Sequence, residues 1–157
     1  MSFKNWVIRR RALRSASEAE SNGVPTENCL EAVLSVVSFL HTQCAQTGDL
    51  RLVLKTGEAN IKALGYIYGF TDAAFQTAGV DIGSEPGAKA LVAIISEFDR
   101  SNAEILCHRL KVPGDPLALM EGVKIGFDDY CRLSQSKTAS DNFTPGWAEC
   151  FAALGSK

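Results

Sequence analysis

The stretch Gly65-Tyr66-Ile67-Tyr68-Gly69-Phe70-Thr71-Asp72 returns 57 positions later as Gly122-Val123-Lys124-Ile125-Gly126-Phe127-Asp128-Asp129. Both copies fit G-x-x-x-G-F-x-D, and each follows an acidic start at the same offset, Gly57-Glu58 in one and Gly114-Asp115 in the other. The alternation of Tyr66, Tyr68 and Phe70 would suit a strand, whereas Ala63, Tyr66, Gly69, Phe70 and Ala73 fall on one face of a helix. The flanks decide for helix. Residues 58–64 are mostly good helix formers, and Leu117-Ala118-Leu119-Met120-Glu121 ahead of the second copy has no strand character.

A glycine inside a helix costs about 1 kcal/mol relative to alanine, so four of them forfeit roughly 3 to 4 kcal/mol that packing must offset. Residues four apart share a helix face. Gly65 with Gly69, and Gly122 with Gly126, therefore cut a flat notch into each helix. The notches let the two helices close on each other across a pseudo-twofold axis, let each close on a neighbour, or leave room for a ligand. Asp72 and Asp129 would form a carboxylate pair if that axis brought them together.

Working outward, the apolar positions Leu30, Val33, Leu34, Val37, Leu40 and Cys44 recur at helical spacing after Pro25 and the N-cap candidate Thr26. Leu34-Ser35-Val36-Val37-Ser38 lines up with Val92-Ala93-Ile94-Ile95-Ser96, so the repeat spans two helices per copy. Ser84-Glu85-Pro86 opens a helix to about Phe98. Ser101 and Glu104 make a capping-box pair for a short helix through Leu110. Pro113-Gly114-Asp115-Pro116 then starts the second Gly-rich helix, and Thr144-Pro145-Gly146-Trp147 opens a last one. The expectation is an all-α bundle of about six helices, a diverged tandem repeat of helical hairpins. Its copies cover about 28–83 and 86–140, with a C-terminal helix at 144–155, all within one domain over 25–157. Residues 1–24 form a basic arm and linker.

Lys4, Arg9, Arg10, Arg11 and Arg14 give that arm five positive charges, leaving the rest of the chain eleven bases against eighteen acids. An acidic body lacks the basic face that nucleic acid binding needs. Only the arm suits an anionic surface, and a weak membrane contact is one use for it. The run Trp6-Val7-Ile8 is too short for a signal peptide core, and no stretch reaches the length of a membrane span. The five cysteines have no zinc-ribbon or disulfide-framework spacing. They read as buried thiols of a reduced, cytoplasmic protein.

Chemistry-bearing groupings are sparse. His41 with Cys44 and Cys107 with His108 supply metal-ligand types, but neighbours on a helix point about 100° apart, so Cys107 and His108 would not face one ion. No phosphate-binding loop, dinucleotide fingerprint, zinc-protease or nucleophile-elbow motif is present. The sequence predicts no catalytic residue, no metal and no cofactor.

The string Gly65-Tyr66-Ile67-Tyr68-Gly69-Phe70-Thr71-Asp72-Ala73 resembles the G-Y-[IV]-x-G-x-x-D-A signature of small helical immunity proteins that neutralise type VI secretion amidase effectors. The resemblance covers nine residues and implies a bacterial inhibitor of a partner enzyme, exported and disulfide-bonded. Taken with the missing catalytic motifs, the expectation is a non-catalytic interaction or regulatory module whose protein partner includes a second copy of itself. Different in class is a small-ligand or lipid-binding bundle with its site between the two Gly-rich helices. Tyr66 and Tyr68 are special to the first copy, so they join Asp72 and Asp129 as the expected ligand or partner contacts.

Overall fold

The computed structural model describes residues 26–47 and 60–135, together with Gly146 and Cys150. The basic arm, the run 48–59 and most of the expected C-terminal helix lie outside the described residues. The described part is all-α: α1 spans Thr26–Thr47, α2 Asn60–Thr77, α3 Glu85–Phe98, α4 Ala103–Lys111 and α5 Pro116–Gln135. Both Gly-rich stretches are helical, as their flanks require.

α2 is the centre of the bundle, and each of the other four helices packs on it. Its residues from Ala63 to Phe75 are buried on every face, save the half-buried Tyr68 and Asp72. A helix that is apolar all round belongs in an interior. α1 and α3 each lay one stripe toward the core, Cys29, Ala32, Val33, Val36, Val37 and Leu40 in the first and Ala90, Leu91, Ile94, Ile95 and Phe98 in the second. Phe70 joins three helices. Its ring stacks on Phe39 of α1 at 4.2 Å and meets Tyr130 of α5 edge-on at 5.4 Å, two arrangements that the ring quadrupole favours.

The helix ends follow local chemistry. α2 stops in a left-handed turn at Gly79, with φ of 75°. Val80 N–H donates back to the Phe75 carbonyl at 2.8 Å and Gly79 N–H to that of Gln76 at 3.1 Å, while Phe75 and Val80 are buried together, which is the Schellman arrangement. Ser84 caps α3 by accepting from Gly87 N–H at 3.2 Å. The expected Ser101–Glu104 capping box does not form. α4 instead begins after Asn102, whose amide is drawn back to the buried Asp99 carboxylate at 2.9 Å and caps nothing. Asp115 caps α5, its Oδ1 accepting from the N–H groups of Leu117 and Ala118 at 3.1 and 3.0 Å, with Pro116 at the first position where a missing N–H does no harm.

The most extensive helix pairing is α2 with α5, and it is made of main chain. A Cβ on Gly65 would run into the carbonyl oxygen of Leu119, and one on Gly69 would stand 2.7 Å from the carbonyl carbon of Val123. In the other direction, a Cβ on Gly122 would meet the Lys62 carbonyl and stand 3.0 Å from Tyr66 N. On Gly126 it would meet the Tyr66 carbonyl and stand 2.9 Å from Phe70 N. The contacts advance together along both chains, so the helices run parallel. They are also reciprocal: Leu119 and Val123 against Gly65 answer to Lys62 and Tyr66 against Gly122 at the 57-residue offset. Lys62 and Glu121 close one edge of the pair with an ion pair at 2.8 Å.

Alanine at Gly69 or Gly126 must therefore push two backbones apart. Each substitution is expected to destabilise the fold by about 2 kcal/mol or more, an overpacking cost that exceeds the roughly 1 kcal/mol gained in helix propensity. Gly114→Ala, where nothing lies within 4 Å, is expected to change stability by less than about 0.5 kcal/mol. Urea titration of the three variants measures both.

Candidate functional site

The polar groups of the motif meet on one side of the α2/α5 crossing. Asp129 of α5 is 1 % exposed, a burial that a carboxylate tolerates only when its oxygens are hydrogen-bonded. Its Oδ2 accepts from the Tyr66 hydroxyl of α2 at 2.7 Å and from the Gly146 backbone N–H at 2.7 Å. Gly146 is confined there: a Cβ would strike Cγ2 of Ile125 and stand 3.4 Å from Asp129 Oδ2. Cys150, buried in the same core, follows in helical register, its N–H donating to the Gly146 carbonyl at 3.1 Å. One carboxylate thus ties α2, α5 and the C-terminal segment.

Burial is the largest cause that raises the Tyr66 pKa, followed by its hydrogen bond to Asp129 and the negative charge there. The hydroxyl keeps its proton and serves as a donor. In the second copy the place of Tyr66 is taken by Val123, so Asp72 has no matching hydroxyl. Asp72 is half-buried on α2 and accepts from Gln76 Nε2 at 2.9 Å. Burial raises its pKa and the charge of Asp81 adds to the rise, while the Gln76 bond opposes it. The two motif aspartates serve different partners. Tyr68 is half-buried nearby, its pKa raised by burial and by the charges of Asp72 and Asp81.

Of the residues singled out from sequence, the structure brings Tyr66 and Asp129 together and places Tyr68 with Asp72, at the edge of the interior. Tyr66 is fully buried, so its role is internal to the fold. Gly65, Gly69, Gly122 and Gly126 all lie in the crossing. His41 rests against the Phe98 ring at 4.8 Å. Cys107 is a half-buried free thiol, pushed up to about 11 mainly by burial, and His108 is exposed. Among the described residues no three of His, Cys, Asp and Glu converge to hold an ion. Thr71 is buried with its hydroxyl unpartnered, a local cost of about 1 to 3 kcal/mol carried by the most enclosed helix.

Sequence reasoning missed Gly146 as a partner of Asp129. Its only signal was the polar Thr144-Pro145-Gly146 opening, which says that a helix starts but not what its first N–H meets. Also missed was a group on the surface. The large apolar side chains that stand exposed among the described residues are Ile105, Val112, Leu117 and Met120, all within one run of α4 and the start of α5. Leu117 is 83 % exposed. Among the described residues no helix is long and apolar enough to cross a membrane. Compared with known family models, curated proteins and solved structures, the chain matches none.

The raised tyrosine and thiol groups fix an alkaline limit to stability. In the unfolded chain thiols ionise near 9.0 and tyrosines near 10.0, while Tyr66, Tyr68, Cys29 and Cys107 resist ionisation in the fold. The folded state then holds more protons than the unfolded one, so stability is lost as pH rises through this range. Tyr66→Phe is expected to lower stability at pH 7 by about 1.5 to 3 kcal/mol, the worth of a hydrogen bond to a charged group. Above pH 10 it is expected to fall less steeply than the wild type. Urea midpoints measured from pH 7 to 11 would show the two curves converging.

Proposed function

We propose that the chain is a non-catalytic protein-interaction module that associates with a second copy of itself through the apolar corner of α4 and the start of α5. The observation that carries this is the concentration of exposed apolar residues there, Ile105, Val112, Leu117 and Met120. Single exposed leucines are ordinary on any protein surface, but four large apolar side chains exposed between residues 105 and 120 support a contact site. The motif's own polar groups point the same way. Tyr66 and Asp129 are consumed in holding helices together, which leaves them no reacting atom to address. The main-chain contact at the four glycines also favours an interaction module over a ligand or lipid held between the Gly-rich helices, since the partner helix's backbone occupies that space.

A second reading draws on the half-buried edge of the first motif. An immunity-type inhibitor would meet its enzyme through Tyr68 and Asp72, beside Asp81, where burial is incomplete and negative charge is gathered. Binding by that face would be lost on Tyr68→Ala and spared by changes at Leu117.

The first reading is tested by sedimentation equilibrium. Wild-type protein is expected to self-associate in the micromolar range, and Leu117→Glu with Met120→Lys to remain monomeric with an unchanged thermal midpoint. A wild-type chain that stays monomeric at all concentrations would remove the proposal.

A further inference from the structure

α4 turns Ala103 and Leu106 into the core, with Cys107 and Leu110 half-buried beside them. Its outward face carries Glu104, Ile105, His108, Arg109 and Lys111, and Val112 follows as the C-cap, its N–H donating to the His108 carbonyl at 3.1 Å. Ile105 and Val112 are seven residues apart, two helical turns or roughly 10 Å, so they stand on one stripe. Glu104 and Lys111 have the same separation and occupy one flank of that stripe. Both charges act on the Cys107 thiol, Lys111 lowering its pKa and Glu104 raising it, which places them on the same side of the helix. Neither makes an ion pair within the described residues.

Resting on the self-association reading above, we infer that α4 pairs antiparallel with α4 of a second copy about a twofold axis, with two symmetry-related Glu104–Lys111 ion pairs along one side of an Ile105–Val112 seam. A twofold contact must be self-complementary. α4 meets that condition because its acid stands at the start of the flank and its base at the end. When two such helices run antiparallel, like flanks face each other, so Glu104 meets Lys111 of the partner subunit and Ile105 overlies Val112 of the partner subunit. His108 sits midway along the same flank, at the axis. Arg109 lies across the stripe on the opposite flank, away from both ion pairs. The exposed Leu117 and Met120 stand beyond the α4–α5 turn, at the start of α5. The antiparallel order also sets the positive N-terminal end of each helix against the negative C-terminal end of the other.

Charge reversal separates this interface from any other. Glu104→Lys gives a flank with two bases and Lys111→Glu one with two acids, so each variant repels its own copy. Each is expected to weaken self-association about tenfold, since every change appears twice in a twofold contact. The double variant, Glu104→Lys with Lys111→Glu, is expected to regain wild-type association. The two single variants mixed in equal amounts are expected to form a heterodimer. A purely local effect on α4 would behave in the opposite way. Lys at its first turn and Glu at its last both oppose the helix dipole, so helix damage would be greatest in the double variant. Sedimentation equilibrium reads all four samples, with circular dichroism confirming the fold. If the wild type associates and Leu117→Glu disrupts it while the charge variants behave like wild type, the antiparallel α4 pairing is overturned and the self-association reading stands. If the wild type is monomeric throughout, or is instead retained on vesicles of anionic lipid as a monomer, both are overturned.

Discussion

Everything in this fold depends on the main-chain contact between α2 and α5. Two helices ordinarily keep their axes 8 to 10 Å apart because side chains fill the space between them. Glycine at 65, 69, 122 and 126 removes those side chains, and the carbonyls of Leu119, Val123, Lys62 and Tyr66 take their place. The propensity lost at four helical glycines is offset by close packing along two turns of both helices. That contact fixes the register of α5 on α2, and with it the meeting of Tyr66 and Asp129.

Around this crossing, equivalent residues have unequal surroundings. α2 is enclosed by the other four helices, while α5 has an outer face, so Phe70 is buried among rings and Phe127 is only half-buried. Asp72 keeps to its own helix through Gln76, whereas Asp129 reaches across to Tyr66 and Gly146. The difference traces to one substitution between the copies. A tyrosine at 66 supplies a buried donor long enough to span the crossing, and the valine at 123 does not. One motif aspartate is thus a tie between helices, and the other stays at the edge.

The helical character of the Gly-rich stretches and their notched faces were legible in the sequence, because glycine spacing reports directly on which face is packed. The α1 stripe was legible only in part, since Val33, Val37 and Leu40 are buried while Leu30 and Leu34 are half-buried and Cys29, Ala32 and Val36 complete the face. That the notches close on each other rather than on α1 or α3 was one of several open alternatives, since spacing along one helix does not name the helix opposite. The Ser101–Glu104 pairing does not form because the helix starts one residue later, after Asn102, whose amide donates back to Asp99, a boundary that pattern alone does not decide. The Asp129–Gly146 bond joins residues 17 positions apart, which no local pattern links. Nor does sequence distinguish an apolar residue facing the core from one facing water on a short helix such as α4, where Ile105 is exposed and Leu106 buried.

That surface, outside the crossing and independent of it, carries the proposed association, while the crossing itself is the central structural claim. A double-mutant cycle tests it most directly, comparing Gly69→Ala, Gly126→Ala and the pair by urea denaturation. If both glycines serve one contact, the first alanine already separates the helices and the second has less left to disrupt. The pair is then expected to cost less than the sum of the single changes by at least about 1 kcal/mol. Costs that add would mean that the two glycines face different neighbours, and would contradict a main-chain crossing between α2 and α5.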